Sequence, residues 1–274
     1  MNDLMRLKKQ ELVYFVIFLG LLLGIYIWVY LVAPLPGVGN NLLVNLIYVV
    51  FSAYPAIILW KILRFYDKSE VPRGIWLGFF IGFVLFLLGD VSWSLWNILF
   101  GEVPTPSVAE FFYIPAYIFL ATGLFCQYGL IFPVNKIKRM IASHVLFWFF
   151  GISVAAVIVF LRSGGISLDD LIEYLYPVLD LLLAVIAISL IRTFAHGSLA
   201  RPFWGFLALF FADLTYAILM ESGSYSFVVV DLHLGSLIAD VFYALAYITF
   251  ALGFWTHYAV LKYDSQAHMD IRSG

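Results

Sequence analysis

Eight runs of about 20 predominantly apolar residues, separated by short polar or Gly/Pro-rich breaks, constrain this chain more than any other feature. A helical run of that length matches the hydrocarbon core of a bilayer. Only 12% of the 274 residues are charged, against roughly 25% in soluble domains, so too few polar side chains remain to cover a water-facing surface. The sequence predicts an all-α, polytopic integral membrane protein with eight transmembrane helices. The predicted spans are residues 12–32, 42–63, 75–99, 108–132, 141–161, 171–191, 203–220 and 234–261.

The basic residues are distributed asymmetrically between the loops that join these spans. Every Lys and Arg except Arg162 falls in the N-terminal tail, in the second, fourth and sixth loops, or in the C-terminal tail. Because cytoplasmic loops carry an excess of Lys and Arg, we predict that both termini are cytoplasmic and that the chain is a multi-pass protein of the cell membrane. The lipid bilayer is thus its first partner. No basic patch interleaved with aromatic residues occurs, so we predict no binding of nucleic acid.

One segment of the chain occurs twice. The sequence AEFFYIPAYIFLATG at 109–123 recurs 130 positions later as ADVFYALAYITFALG at 239–253. Eight positions are identical and Glu110 is matched by Asp240, whereas about two identities are expected by chance in so apolar a composition. The two copies lie in the fourth and eighth predicted spans. Both therefore cross the membrane in the same direction.

Two shorter matches agree with a duplication of four helices. Tyr54–Pro55 recurs as Tyr176–Pro177, 122 positions later, and Asp90 recurs as Asp213, 123 positions later. Parallel repeats imply a pseudo-two-fold axis along the membrane normal. The predicted four-helix repeats are residues 1–135 and 136–274.

Besides Glu173, at the beginning of the sixth span, five carboxyl groups fall within the predicted spans, all near the midplane or in the half of the membrane predicted to be outer. They belong to Asp90, Glu110, Asp180, Asp213 and Asp240. An ionised carboxylate facing lipid costs several kcal/mol, so we expect these groups to face the bundle interior or a wet cavity. No Lys or Arg occupies the same layer. The groups would then be protonated, hydrogen-bonded by Tyr, Trp and Asn, or neutralised by a positively charged ligand.

Aromatic and amide side chains follow these carboxyl groups at helical spacing. In each copy of the repeat, two tyrosines lie three and seven residues after the carboxyl group, on the same helix face. Aromatic faces also attract an organic cation, by about 0.5–2 kcal/mol. The predicted ligand-binding residues are Asp90, Trp93, Asn97, Glu110, Tyr113, Tyr117, Tyr176, Asp180, Asp213, Tyr216, Asp240, Tyr243 and Tyr247.

The same residues are also compatible with a purely structural role. Tyrosine near a membrane boundary is a common interfacial anchor, and an Asp–Tyr pair can hold two helices together. Nothing in the sequence predicts catalysis, a metal site or a cofactor. Four of the five histidines fall on the side opposite to the carboxyl groups, and the chain has no HExxH motif, Ser/His/Asp arrangement or phosphate loop.

Three elements occur in order along the chain: GDVSW at 89–93, PSVAEFFY at 106–113 and YPVLD at 176–180. They resemble the GD-x-x-W, PS-x-AD-x-x-Y and YP-x-x-D elements of the multi-helix membrane sensor domains that precede GGDEF diguanylate cyclase domains in bacteria. Glu110 replaces the usual Asp. The resemblance implies a signal-input module whose ligand is generally unknown. Because only twelve residues follow Lys262, we expect a separate cytoplasmic partner to receive the signal.

These observations predict a membrane sensor that binds a small ligand or cation in an acidic, aromatic cavity in the outer half of the bundle. Parallel repeats with carboxyl groups near the midplane also suit a secondary transporter of a cation or small organic cation. The inner halves of the spans are almost wholly apolar, which favours the sensor over the transporter. A third alternative is an intramembrane lipid-modifying enzyme, which would lose activity when one carboxyl group is removed.

Overall fold

The computed structural model describes residues 2–101, 103–104, 106–132, 135, 137–138, 168–194, 200–225, 228–229 and 232–273. Within this part of the chain, seven helices are long and apolar enough to cross a membrane, so the protein is a helical, multi-pass membrane protein. A two-residue antiparallel hairpin directly precedes the last helix. The elements are α1 (Asn2–Val32), α2 (Val38–Leu63), α3 (Val71–Phe100), α4 (Glu110–Ile131), α5 (Leu168–Thr193), α6 (Arg201–Glu221), β1 (Val228–Val229), β2 (Leu232–His233) and α7 (Leu234–Ser273).

The helices coincide with seven of the eight predicted spans, and all of them except α4 extend beyond the predicted run. α1 and α2 end at Val32 and Leu63, as predicted, whereas α3 begins at Val71 rather than at residue 75. A helix continues past the hydrocarbon layer until a turn-forming residue stops it, so apolar content underestimates its length. The remaining predicted span, residues 141–161, lies outside the described residues and stays a prediction.

Proline and glycine mark the ends of α3 and α6 in the same way. Pro72 and Pro202 lie in the first turns, where the N–H that proline lacks has no helical partner to lose. Gly101 directly follows α3 with φ 85°, and Gly223 lies two residues beyond α6 with φ 67°. Glycine adopts these left-handed values without strain. Both helices therefore have a proline in the first turn and end before a glycine.

The helices pack as two similar groups. The most extensive contacts join α3 to α4 and α6 to α7. α2 packs on α3 and reaches across to α7, while α5 packs on α6 and reaches across to α4. α1 lies against α7 and α2. Each of α2 and α5 thus touches the neighbouring pair and one helix of the other pair.

Glycines bring the paired helices close together. A Cβ atom on Gly82 of α3 would lie 2.6 Å from the Leu120 side chain of α4. On Gly205 of α6 it would lie 2.2 Å from the Phe250 ring of α7. The contact between α3 and α4 is therefore repeated between α6 and α7. The two glycines are 123 positions apart, and the residues that they face, Leu120 and Phe250, are 130 positions apart. Small residues that let helices approach are typical of membrane bundles.

Apolar side chains cover both the interior and the outside of the bundle. Inside, the Phe83 ring packs on that of Phe250 with centroids 4.6 Å apart. Outside, Phe111 is 79% exposed, Leu99 68% and Ile118 63%. Such exposure suits contact with acyl chains rather than with water, which agrees with a bilayer as the solvent.

The two ends of the bundle differ in charge. At one end, called the basic end, Lys262 of α7 pairs with Glu11 of α1 at 2.8 Å. Basic residues at helix termini on this end are Lys61, Arg64, Arg73, Arg192 and Arg201. Toward the other end, called the polar end, lie the acidic residues of the predicted site. The separation of charge predicted from the sequence is present in these helices.

Candidate functional site

Asp90 of α3 is a buried acceptor that joins three helices. Its side chain is 3% exposed. The Tyr113 hydroxyl of α4 donates to Oδ1 at 2.8 Å, and the Tyr247 hydroxyl of α7 donates to Oδ2 at 2.6 Å. Ser52 of α2 lies beside Asp90, with its hydroxyl donating to the Val49 carbonyl oxygen at 3.1 Å. Both oxygens of Asp90 therefore have a donor.

Asp213 of α6 repeats this arrangement in the second helix pair. It is 7% exposed, and the Tyr243 hydroxyl of α7 donates to its Oδ1. Tyr117 of α4 lies beside it from the other pair. Each of Asp90 and Asp213 thus meets one tyrosine from the helix it packs along and one from the opposite pair. As with the glycine contacts, the two acceptors, Asp90 and Asp213, are 123 positions apart, and their donors, Tyr113 and Tyr243, are 130 positions apart.

Asp180 of α5 differs from both. It is 1% exposed, and neither carboxyl oxygen accepts a hydrogen bond of normal geometry from a described residue, although the Tyr117 hydroxyl and the Asp213 carboxyl group lie near enough to interact with it. Its carboxyl group lies beside that of Asp213 and beside Tyr117. If both carboxyl groups were ionised, they would repel each other as well as being desolvated, whereas a proton on Asp180 could be donated to Asp213.

Four aromatic rings enclose the region between α3, α4 and α5. The Phe86 ring contacts Tyr113 at 6.1 Å and Tyr117 at 5.3 Å between centroids. The Tyr176 ring contacts the same two tyrosines at 6.2 and 6.0 Å. Its buried hydroxyl has no hydrogen-bond partner among the described residues. We define the polar cluster as Asp90, Tyr113, Tyr117, Tyr176, Asp180, Asp213, Tyr243 and Tyr247.

Asp240 lies one helical turn before Tyr243 on α7 but points to a different helix. It accepts hydrogen bonds from the Tyr30 hydroxyl and, at 3.4 Å, from the Tyr26 hydroxyl, both on α1. The sequence analysis missed these two tyrosines. Their spacing of four residues placed them on one face of α1, but nothing in the sequence indicated which carboxyl group that face would meet.

Glu110 and Asn97 take part in local structure at the polar end. The Glu110 carboxylate accepts the Ser107 N–H at 2.5 Å and the Ser107 hydroxyl at 2.7 Å, which is a capping arrangement at the start of α4. Asn97 accepts from Asn45 at 3.2 Å and from Asn41 at 3.2 Å, and so joins α3 to α2. Neither residue hydrogen-bonds to the polar cluster.

One of the two other predicted ring residues, Tyr216, lies at the margin of the polar cluster. The Tyr216 ring packs on Tyr225 and Tyr243, with centroids 5.2 and 6.4 Å apart. Trp93 is half-buried and has neither a hydrogen bond nor a ring contact with the described residues. The structure therefore gathers eight of the thirteen predicted residues into one cluster, with Asp240 and Tyr216 next to it.

The described part of the chain places no positively charged side chain at this cluster. No Lys or Arg among the described residues bonds to Asp90, Asp180, Asp213 or Asp240. A surface depression on α1 near Lys9 lies about 30 Å along the helix from Tyr30 and is therefore distant from the cluster. The expected ligand cavity stays a prediction, and the described side chains of the cluster pack closely on one another.

Comparisons with protein-family models, with curated proteins and with solved structures found no match for this chain. Its function is therefore argued from the polar cluster itself.

Proposed function

We propose that this protein is an integral membrane sensor that binds a small cation at the carboxyl pair of Asp180 and Asp213. The observation that carries the proposal is Asp180. A carboxyl group that is 1% exposed and has no hydrogen bond from the described residues needs a proton or a cation to offset its desolvation. A structural Asp would instead be satisfied, as Asp90 is.

The ligand chemistry follows from the atoms that face the pair. Carboxyl and hydroxyl oxygens are available from Asp180, Asp213, Tyr117 and Tyr176, and hard cations such as Na⁺ and Ca²⁺ prefer oxygen ligands. Close packing of the surrounding rings favours a small ion over a bulky amine. One bound cation would reduce the repulsion between the two carboxylates.

The proposed architecture has eight helices in two repeats, with both termini cytoplasmic. Three features support the repeats: the Asp–Tyr hydrogen bonds, the Gly82 and Gly205 contacts, and the shared caps of α3 and α6. The gathering of basic residues at one end supports the orientation. Tyr117 and Tyr247 connect each repeat to the Asp of the other. Cation binding would therefore change how the repeats meet, and a cytoplasmic partner would detect that change, as the resemblance to bacterial sensor domains implies.

Thermal unfolding of the purified protein in lipid nanodiscs tests cation binding directly. A cation that binds only the folded state raises the midpoint as its concentration increases. The panel is LiCl, NaCl, KCl, MgCl₂ and CaCl₂, each compared with choline chloride at equal ionic strength. We expect a specific rise for one ion that is lost in Asp180→Asn and kept in Glu110→Gln, because Ser107 already engages Glu110. An equal response to every salt, or a rise that persists in Asp180→Asn, would refute the proposal.

Secondary transport is the second candidate, because the polar cluster touches both proposed repeats. Asp213 is held by Tyr243 of its own repeat and lies beside Tyr117 of the other. A site shared in this way could alternate between the two sides of the membrane. Uptake of the bound ion into proteoliposomes distinguishes the candidates: ion binding without flux indicates a sensor, and flux that Asp180→Asn abolishes indicates a transporter.

A further inference from the structure

The helices α2 and α5 pack in the same way against the two helix pairs, and their contacts show which residue of α2 corresponds to which residue of α5. The Tyr48 ring of α2 packs on Tyr247 at 6.1 Å, and the Tyr176 ring of α5 packs on Tyr117 at 6.0 Å. Tyr117 and Tyr247 are themselves equivalent by the 130-residue repeat. Tyr48 and Tyr176 are therefore equivalent, at a spacing of 128.

The buried faces of both helices support the same register. Six positions that are buried on α2 have a buried residue 128 positions later on α5. The pairs are Ser52/Asp180, Pro55/Leu183, Ala56/Ala184, Ile58/Ile186, Leu59/Ala187 and Ile62/Leu190. The spacing of 122 suggested by the Tyr-Pro dipeptides fails this comparison, because it would match exposed Phe65 with buried Ala187. Tyr54 packs on Phe15 and Phe18 of α1 instead of on the polar cluster.

This register makes Ser52 the counterpart of Asp180. Ser52 lies beside Asp90, and Asp180 lies beside Asp213. The first half of the cluster therefore contains one carboxyl group with two donors. The second contains two carboxyl groups, of which one has no donor among the described residues. The two halves are alike in shape and differ by one carboxyl group.

We infer that an Asp at position 52 or 180 is what allows the corresponding half of the cluster to hold a cation. The chain would then bind one cation, at Asp180, and none at Ser52. The inference rests on the proposed function. It adds how many cations the chain binds and which residue creates the binding site. Ser52 is completely buried but next to an Asp that could serve as the second ligand. An Asp at position 52 would therefore recreate beside Asp90 the pair that Asp180 and Asp213 form.

Equilibrium binding of ²²Na⁺ and ⁴⁵Ca²⁺ to the nanodisc protein tests this assignment. We expect one site in the wild type, none in Asp180→Ser, and two in Ser52→Asp. The double variant Ser52→Asp/Asp180→Ser keeps the number of carboxyl groups constant. It should bind one ion, and that binding should now be lost on adding Asp90→Asn but not on adding Asp213→Asn. Ser52→Ala is the control and should bind as the wild type does.

The outcomes separate this inference from the proposed function. No binding by the wild type would overturn both. One site in the wild type that Asp180→Ser removes, with no gain in a folded Ser52→Asp protein, would overturn only the inference. Two sites in the wild type would overturn it as well. If Ser52→Asp does not fold, Asp180→Ser still decides, because retained binding of one ion would contradict the role assigned to position 180.

Discussion

Asp90 and Asp180 are buried at the same end of one bundle, but their surroundings are opposite. Asp90 accepts a hydroxyl on each oxygen and connects α3 with α4 and α7. Asp180, with 1% exposure, has no donor among the described residues and lies beside a second carboxyl group. A satisfied buried carboxyl group contributes to helix association, whereas an unsatisfied one costs stability unless a ligand is bound. The comparison separates a satisfied carboxyl group from an unsatisfied one within one cluster.

The largest effect should come from replacing the two acids themselves. Asp90→Ala leaves the Tyr113 and Tyr247 hydroxyls buried without an acceptor, so we expect a loss of about 2–4 kcal/mol in unfolding free energy. Asp180→Ala removes a carboxyl group that has no donor to lose, so stability in ion-free buffer should stay the same or increase. SDS-induced unfolding in mixed micelles measures both. A loss in Asp180→Ala as large as that in Asp90→Ala would break the comparison.

The helix pairs that hold these acids should respond unequally to added bulk. Gly205→Ala pushes a methyl group against the Phe250 ring, which is rigid and completely buried, so we expect a loss of about 1–3 kcal/mol. Gly82→Ala should cost less because the Leu120 side chain can rotate. Gly20→Ala is the control, since no described atom lies within 4 Å of its added Cβ. Equal midpoints for Gly205→Ala and Gly20→Ala in thermal unfolding would contradict this packing.

Single hydroxyl groups provide a smaller test of the same contrast. Tyr247→Phe removes a 2.6 Å hydrogen bond to Asp90, and we expect a loss of about 0.6–1.7 kcal/mol, the range for hydrogen bonds between membrane helices. Tyr176→Phe removes a hydroxyl without a described partner, so stability should change little in the absence of salt. Its cation-dependent stabilisation should weaken if that hydroxyl is a ligand. The unfolding midpoint with and without the bound ion reports both effects.

The smallest effect is expected at the basic end. Lys262 and Glu11 pair at 2.8 Å, but their side chains are 29% and 42% exposed. Partly exposed ion pairs contribute about 0–1 kcal/mol and are weakened by salt. Lys262→Met should therefore lower stability slightly at low ionic strength and not at all in 0.5 M salt. A larger, salt-independent loss would mean that this ion pair, rather than the hydrogen bonds of Tyr26 and Tyr30 to Asp240, holds α1 in place.

Much of the fold was predictable because hydrophobic length and charge asymmetry are local properties of a sequence. The seven described helices coincide with seven of the eight predicted apolar runs, and the carboxyl groups of Asp90, Asp180 and Asp213 lie near one another. The repeat of 109–123 at 239–253 placed Tyr113 and Tyr243 on the same helix face as Glu110 and Asp240. Their hydroxyls donate instead to Asp90 and Asp213, which belong to other helices.

The sequence by itself determined that this chain needs a bilayer and where its helices and buried acids lie along it. Only the tertiary structure decided which acids are satisfied. Glu110 caps α4 through Ser107, Asp240 meets Tyr30 from a helix 210 positions away, and Asp180 has no donor among the described residues. Hydrogen-bond partners depend on which helix faces meet, and that is set by packing between distant segments, which helical periodicity alone does not encode.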